Sequence, residues 1–315
     1  MCNGTIMDKL ISFSIPLMLS GILQLMFNAV DIVVVGRFSG SQALAAVGST
    51  TALINVFTNL FIGISLGANV LAARYYAAGK TKEMSETVHT AIALALVSGV
   101  AMAVIGVVFA RGALEIMGTP DDVIAKSTLY MRIYFCGMPF FMMYNYGAAI
   151  LRAVGDTKRP LIFLIVSGVI NAVLNLFLVI GFHLDVAGVG IATVISQLVS
   201  CILVLRCLHH TESSYQLHLA KLRIRSVYLK QIFEVGVPAG IQSTVINISN
   251  AMLQSSVNSF GSIAMAGYTA SNNIFGFLYV SVNSFTQACM SFTSQNYGVK
   301  KLKRMDRVLI DCMIL

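Results

Sequence analysis

The chain has 315 residues, of which 57% are hydrophobic and only 11% charged, and its mean hydropathy is +0.81. A water-soluble domain could not hide that much apolar surface. The net charge of +8 would suit a nucleic-acid partner, but the basic residues sit in clusters between apolar runs, so none is expected.

Runs long enough to cross a bilayer, about 20 residues each, fall near 10–36, 45–72, 88–110, 128–150, 160–182, 187–207, 232–257 and 264–292, and a further apolar stretch starts near 308. The first run follows a short lead without a cleavage-site pattern and is too long for a signal segment, so it is expected to stay as a span. Within it Ser20, Gln24, Asn28 and Asp31 share one helix face. A carboxylate there is costly in lipid, and its default reading is ion coupling or substrate binding; the alternative is a side chain near the helix end that reaches out to water.

The fourth span is rich in aromatic and methionine side chains, among them Tyr130, Tyr134, Tyr144, Met142 and Met143. Such surface suits a pocket for unlike ligands and ordinary packing equally. Ser167, Asn171 and Asn175 line one face of the fifth span, Thr193, Gln197 and Ser200 one face of the sixth, and Ser243, Asn247, Asn250 and Gln254 one face of the seventh; Gln287 lies in the eighth. These stripes predict a common polar interior, with Gln24, Asn28, Tyr144, Gln197, Asn247, Asn250, Gln254 and Gln287 facing a substrate cavity. Interhelical hydrogen bonding would use the same residue types. Pro16, Pro139 and Pro238 mark places where a missing N–H permits bending. No intramembrane histidine, paired carboxylate or nucleophile–base set is seen, so an enzyme is not expected.

With the N-terminus cytoplasmic, 17 of the 21 lysines and arginines fall in loops on that side; only Arg37, Arg111, Lys126 and Arg132 lie opposite. The positive-inside rule therefore predicts a multi-pass protein of the cell membrane, with the 36–45 loop outside and membrane lipid as its surroundings. His209, His210 and His218 belong to a solvated basic connector rather than a metal site, and the six scattered cysteines form neither a disulfide framework nor a metal spacing.

A shift of 222 residues lays Ser14-Ile15-Pro16 on Gly236-Val237-Pro238 and Asn28-Ala29 on Asn250-Ala251, and Gly79-x-x-Lys82 later meets Gly298-x-x-Lys301. Six spans separate the copies, so both enter the membrane the same way, as in parallel-repeat transporters. The division expected is a first six-helix bundle at 1–208, a basic connector at 209–230 and a partial second bundle at 231–315. By this repeat the second bundle stops inside its third helix, and a full pair would need on the order of 120 further residues.

Five stretches in order resemble the multidrug and toxic compound extrusion (MATE) family: Phe13-Ser14-Ile15-Pro16, Val30-Asp31 through Gly36-Arg37, Ala78-Gly79-Lys80-Thr81-Lys82, Leu151-Arg152 through Arg159-Pro160, and Ala187-Gly188 through Ser196-Gln197. The resemblance implies an all-α polytopic fold of two parallel six-helix bundles, monomeric when complete. It implies export of amphipathic, often cationic small molecules against H+ or Na+, with no other cofactor. Its cation-coupling carboxylate falls on Asp31, joined by positions matching Asn171, Asn175 and Thr193. Asn175 stands where relatives often carry Asp, which leaves Asp31 the lone carboxylate, and Ile246 replaces an acidic residue of some relatives. The alternatives are a flippase for lipid-linked precursors, which would want a more cationic cavity, and a non-transporting membrane fragment.

Overall fold

A computed structural model describes residues 1–258 and 262–315, apart from the side chains at 52, 56, 251, 254, 255, 258, 262–266, 269, 270 and 273. Among the described residues the chain forms ten α-helices and no strand. They are α1 (Met7–Phe38), α2 (Gly40–Ala77), α3 (Thr81–Ile116), α4 (Asp121–Cys136), α5 (Met138–Val154), α6 (Lys158–Leu176), α7 (Asp185–His209), α8 (Ser226–Asn258), α9 (Ser262–Gly298) and α10 (Leu302–Ile314). A π-helical turn, Phe177–Gly181, prolongs α6. Five of these helical stretches are long and apolar enough to cross a membrane: α1, α2, α3, α6 with its π turn, and α7.

The burial pattern of α3 shows what surrounds the protein. Met84, Val88, Ala91, Ala95, Met102, Gly106, Ala110 and Leu114 follow the three- and four-residue spacing of one face and are buried. The opposite face is equally apolar, with Val97, Val104, Val108 and Phe109 between 56% and 64% exposed. A helix apolar on both faces but buried on only one needs lipid on the other. The fold is that of an all-α polytopic membrane protein.

Three details depart from the sequence-based expectations. The expected outer loop at 36–45 is a single-residue joint: α1 runs to Phe38, Ser39 bonds back to Val35 O, and α2 starts at Gly40 with φ +84°. The fourth span is two helices rather than one, because Pro139 has no N–H to give to Phe135 and the helix breaks at Gly137, whose carbonyl takes the N–H groups of Phe140 and Phe141. His89, overlooked as an intramembrane histidine, is buried on α3. Its ring bonds Ser85 O at 2.6 Å through Nδ1 and takes the His218 N–H at 3.1 Å through Nε2, so it fastens the connector.

That connector folds over the basic end of the bundle. Leu217 is buried, Arg223 and Arg225 both pair with Glu86 at 3.2 Å, and the Arg225 N–H reaches Thr90 Oγ1. At the same end α5 closes on Gly155, whose φ of +102° is open to glycine without strain.

α2 is the axis of the fold and packs against α3, α4, α5, α8 and α9. It meets α8 through glycines: Gly63 lies on Gly240, Gly67 on Ile232 O and Gly236, and Gly236 in turn on Ile64. Small residues let two backbones touch where any side chain would hold them apart. The crossing is tight toward the basic end, where α9 also buries Ser284, Ala288, Ser291, Phe292, Gln295 and Asn296. Toward the other end, among the described residues, Val245, Ile248, Met252, Ile274, Phe275 and Val282 are all at least half exposed. The result is a wedge, shut at the basic end and open at the opposite one.

Candidate functional site

The site is built on the contact between α1 and α6. Gly168 leaves a gap that the Phe27 ring fills, bringing the two helices close enough for polar side chains one turn further along to meet. There Asn175 Nδ2 donates to Asp31 Oδ1 and, at 3.3 Å, to Asn171 Oδ1. Asn171 and Asn175 are 6% and 0% exposed, while Asp31 is half-buried. The amide therefore spends its donors on a carboxylate and a second amide. Asn175 Oδ1 is left buried without a donor. A buried acceptor without a donor is costly unless a proton or a cation supplies the missing positive charge. The Asn175 amide thus links a carboxylate and a second amide through its nitrogen and keeps its own oxygen unpartnered.

A second polar group lies on α4 and α7. There the Tyr130 and Tyr134 rings lie 6.1 Å apart. Gln197 Oε1 is buried against Gly137 with no donor. The missing side chain at Gly137 is what makes room for it, since a Cβ there would collide with that oxygen.

The remaining positions singled out from sequence fall as follows. Thr193 Oγ1 bonds Val189 O on its own helix at 2.9 Å. Gln24 and Asn28 are exposed on the α1 face leading to Asp31. Tyr144 OH donates to Pro160 O at 3.1 Å, tying α5 to α6. Asn247 Nδ2 bonds Ser243 O, Asn250 is exposed, and Gln287 Nε2 bonds Asn283 Oδ1 at 3.0 Å. Gln254 lies outside the described residues.

One polar set was missed. Asn283, Gln287, Ser291 and Gln295 recur every four residues along α9, a stripe of which the sequence reading above took only Gln287. Its basic-end members reach other helices: Ser291 Oγ donates to Asn69 Oδ1 at 3.1 Å, Asn69 Nδ2 to Ala149 O at 2.8 Å, and Gln295 Nε2 to Ala153 O at 2.6 Å. These bonds hold α2, α5 and α9 together where the wedge is shut.

A family model described as MatE matches residues 16–177 and 238–315. The chain is 33% identical over 304 residues to the probable multidrug resistance protein YoeA of Bacillus subtilis, covering 94% of this chain and 66% of that protein. It is 22% identical to an FAD transporter of Shewanella oneidensis, covering 96% and 67%. It spans about two thirds of the length of the curated relatives it matches. Among solved structures it superposes on one described as MATE in the bent conformation with a TM-score of 0.91 at 22% identity, covering 98% of this chain and 69% of that one. An outward-facing multidrug resistance MATE family transporter gives 0.90 at 22% identity, with the same coverage.

Proposed function

The chain belongs to the MatE family, and from that premise we propose that it acts in secondary active multidrug efflux, exchanging amphipathic or cationic compounds for H+ or Na+ by alternating access. The observation that carries this reading is the Asp31–Asn175–Asn171 cluster, a lone carboxylate held by an amide whose own oxygen lacks a donor. The relative named as a probable multidrug resistance protein supports the substrate class. Asp31, Asn171, Asn175 and Thr193 are the proposed coupling residues. The exposed or half-buried Gln24, Asn28, Asn247, Asn250 and Gln287, with Gln197, are proposed for the substrate cavity.

In this reading the coupling ion and the substrate compete through the state of one carboxylate. Ion arrival at Asp31 releases or reorients the Asn175 amide, and α1 shifts against α6. One charge moving down a 100 mV potential supplies about 2.3 kcal/mol, enough for a roughly fifty-fold concentration ratio of a neutral substrate. A single acid is sufficient. The proposed setting is the cell membrane, with a cytoplasmic N-terminus, a first bundle at 1–208 and a second starting at 231. The open end of the wedge would then face outward. The near absence of lysine and arginine along α1, α8 and α9 within the wedge favours drug-type export over a flippase for phosphate-bearing lipids.

The test is dye efflux from energised vesicles containing the full-length protein. Asp31→Asn keeps hydrogen bonding but cannot cycle charge, so ion-driven export should disappear while the protein remains in the membrane. Unchanged export would remove the coupling proposal.

A further inference from the structure

The first six residues occupy the junction of the shut end, between the α5–α6 turn and the α9–α10 turn. On one side, the Met1 methyl lies 3.5 Å from where a Cβ on Gly155 would stand. On the other, Lys301 Nζ donates to Cys2 O at 2.9 Å and to Asn3 Oδ1 at 2.7 Å, and Arg304 Nη2 donates to Gly4 O at 2.8 Å. Arg304 also reaches Met1 O at 3.5 Å. Lys9 Nζ bonds Asn3 O at 2.6 Å and fixes the turn, where Gly4 takes φ +75°. Cys2 Sγ lies 3.9 Å from Gln295 Oε1, the same side chain whose Nε2 holds Ala153 O.

Below the segment, Ile6, Leu10, Phe13 and Leu17 of α1 form an apolar cluster with Ala288 and Phe292 of α9 and Val308 of α10; the Phe13 and Phe292 rings meet edge-on at 5.6 Å. Residues 1–6 are thus bound chiefly by carbonyl-directed cationic donors at the start of α10, while the Met1 methyl at their tip lies beside Gly155 on the far side of the crossing. Cation–carbonyl hydrogen bonds are worth more than neutral ones, and several of them set in one turn add up only while the segment keeps its shape. Opening this end would separate α9 and α10 from α5 and would have to pull the segment from one side or the other.

We propose that residues 1–6 are a latch for the shut end of the wedge: a peptide hook, gripped by Lys301 and Arg304, that must let go before the cleft can open on the basic side. The inference rests on the alternating-access reading above. It goes further by assigning the hold to a segment outside the ion site. Lys301 and Arg304 are positioning residues in it, and their cationic groups recognise a backbone turn of this same chain.

The experiment measures the opening itself. Ketoxime spin labels at Lys158 and Asp306, which leave the six cysteines untouched, report the separation of the α5–α6 turn from α10 by double electron–electron resonance in liposomes. Lys301→Gln with Arg304→Gln, and separately deletion of residues 2–5, should raise the long-distance population about tenfold, because several charge-assisted bonds are lost in each. Lys303→Gln with Arg307→Gln removes the same charge from the same helix without touching the segment and should leave the distances as in the parent. Unchanged distances in both latch variants, or an equal shift in the control, would overturn the latch. A parent protein that shows no ion-driven export would count against the coupling proposal, while the distances would still decide the latch.

Discussion

Replacing Gly236 with a larger residue would drive a wedge between α2 and α8 at one of their close approaches. An ideal Cβ there would stand 2.6 Å from Ile64 Cα and 2.8 Å from Ile64 O, whereas ordinary contact begins at 3.4 Å. Both obstacles are backbone atoms, so no rotamer change relieves them, and the helices must part by roughly 0.8 Å. Overpacking of this kind costs about 1–3 kcal/mol. Alanine recovers about 1 kcal/mol of helix propensity, leaving a net loss of about 0–2 kcal/mol, while valine adds two more carbons with little such offset. Gly112 on α3 is the control, because a Cβ there meets nothing within 4 Å. Thermal unfolding in detergent should rank Gly112→Ala at or above the parent, Gly236→Ala below it and Gly236→Val lowest. A Gly236→Val protein that unfolds no earlier than Gly112→Ala would refute the close crossing.

Asn175→Ala should destabilise the protein by about 1.5–3 kcal/mol, the range for a hydrogen bond to a charged group, and weaken export less than Asp31→Asn; a midpoint equal to the parent's would show that the Asp31 contact contributes nothing. A thiol at Ser41 should react with an impermeant maleimide from outside intact cells, and one at Lys82 only after permeabilisation; the reverse pattern would invert the topology. Glu86→Ala removes the acceptor of both Arg223 and Arg225, so trypsin should cut after those residues several-fold faster than in the parent, and equal rates would mean the connector is held by other contacts.

Span positions were legible because lipid imposes the same demand on every segment: about 20 apolar residues, with polar ones confined to a face. That is why the stripe carrying Asn171 and Asn175 could be read, and why the structure can bring it beside Asp31. What could not be read are relations between segments. Gly63, Gly67, Gly236 and Gly240 look like any helical glycines until their partners are known, since a residue without a side chain names no neighbour. The break at Gly137 hid inside a run that reads as one continuous span, 128–150. The first six residues, too short and too mixed for any pattern, were passed over as a lead. The connector drew attention for its charge, whereas its attachment depends on a buried histidine four residues beyond Ser85.

α1 has its foot in one part of the molecule and its head in another. Leu10 and Phe13 are packed against α9 and α10, whereas Phe27 and Asp31 are packed against α6. Between them stands Pro16, whose carbonyl is taken by Ser20 Oγ at 2.8 Å. At 1.5 Å per residue, Asp31 lies about 22 Å along the helix from Pro16. Mechanically this is a long arm on a short pivot. A tilt of about 10° there would carry the carboxylate about 4 Å sideways, more than the length of a hydrogen bond. The strength of the grip at the foot therefore sets how steadily the acid is aimed, and stiffness near Pro16 is as much a property of the ion site as the side chains around Asp31.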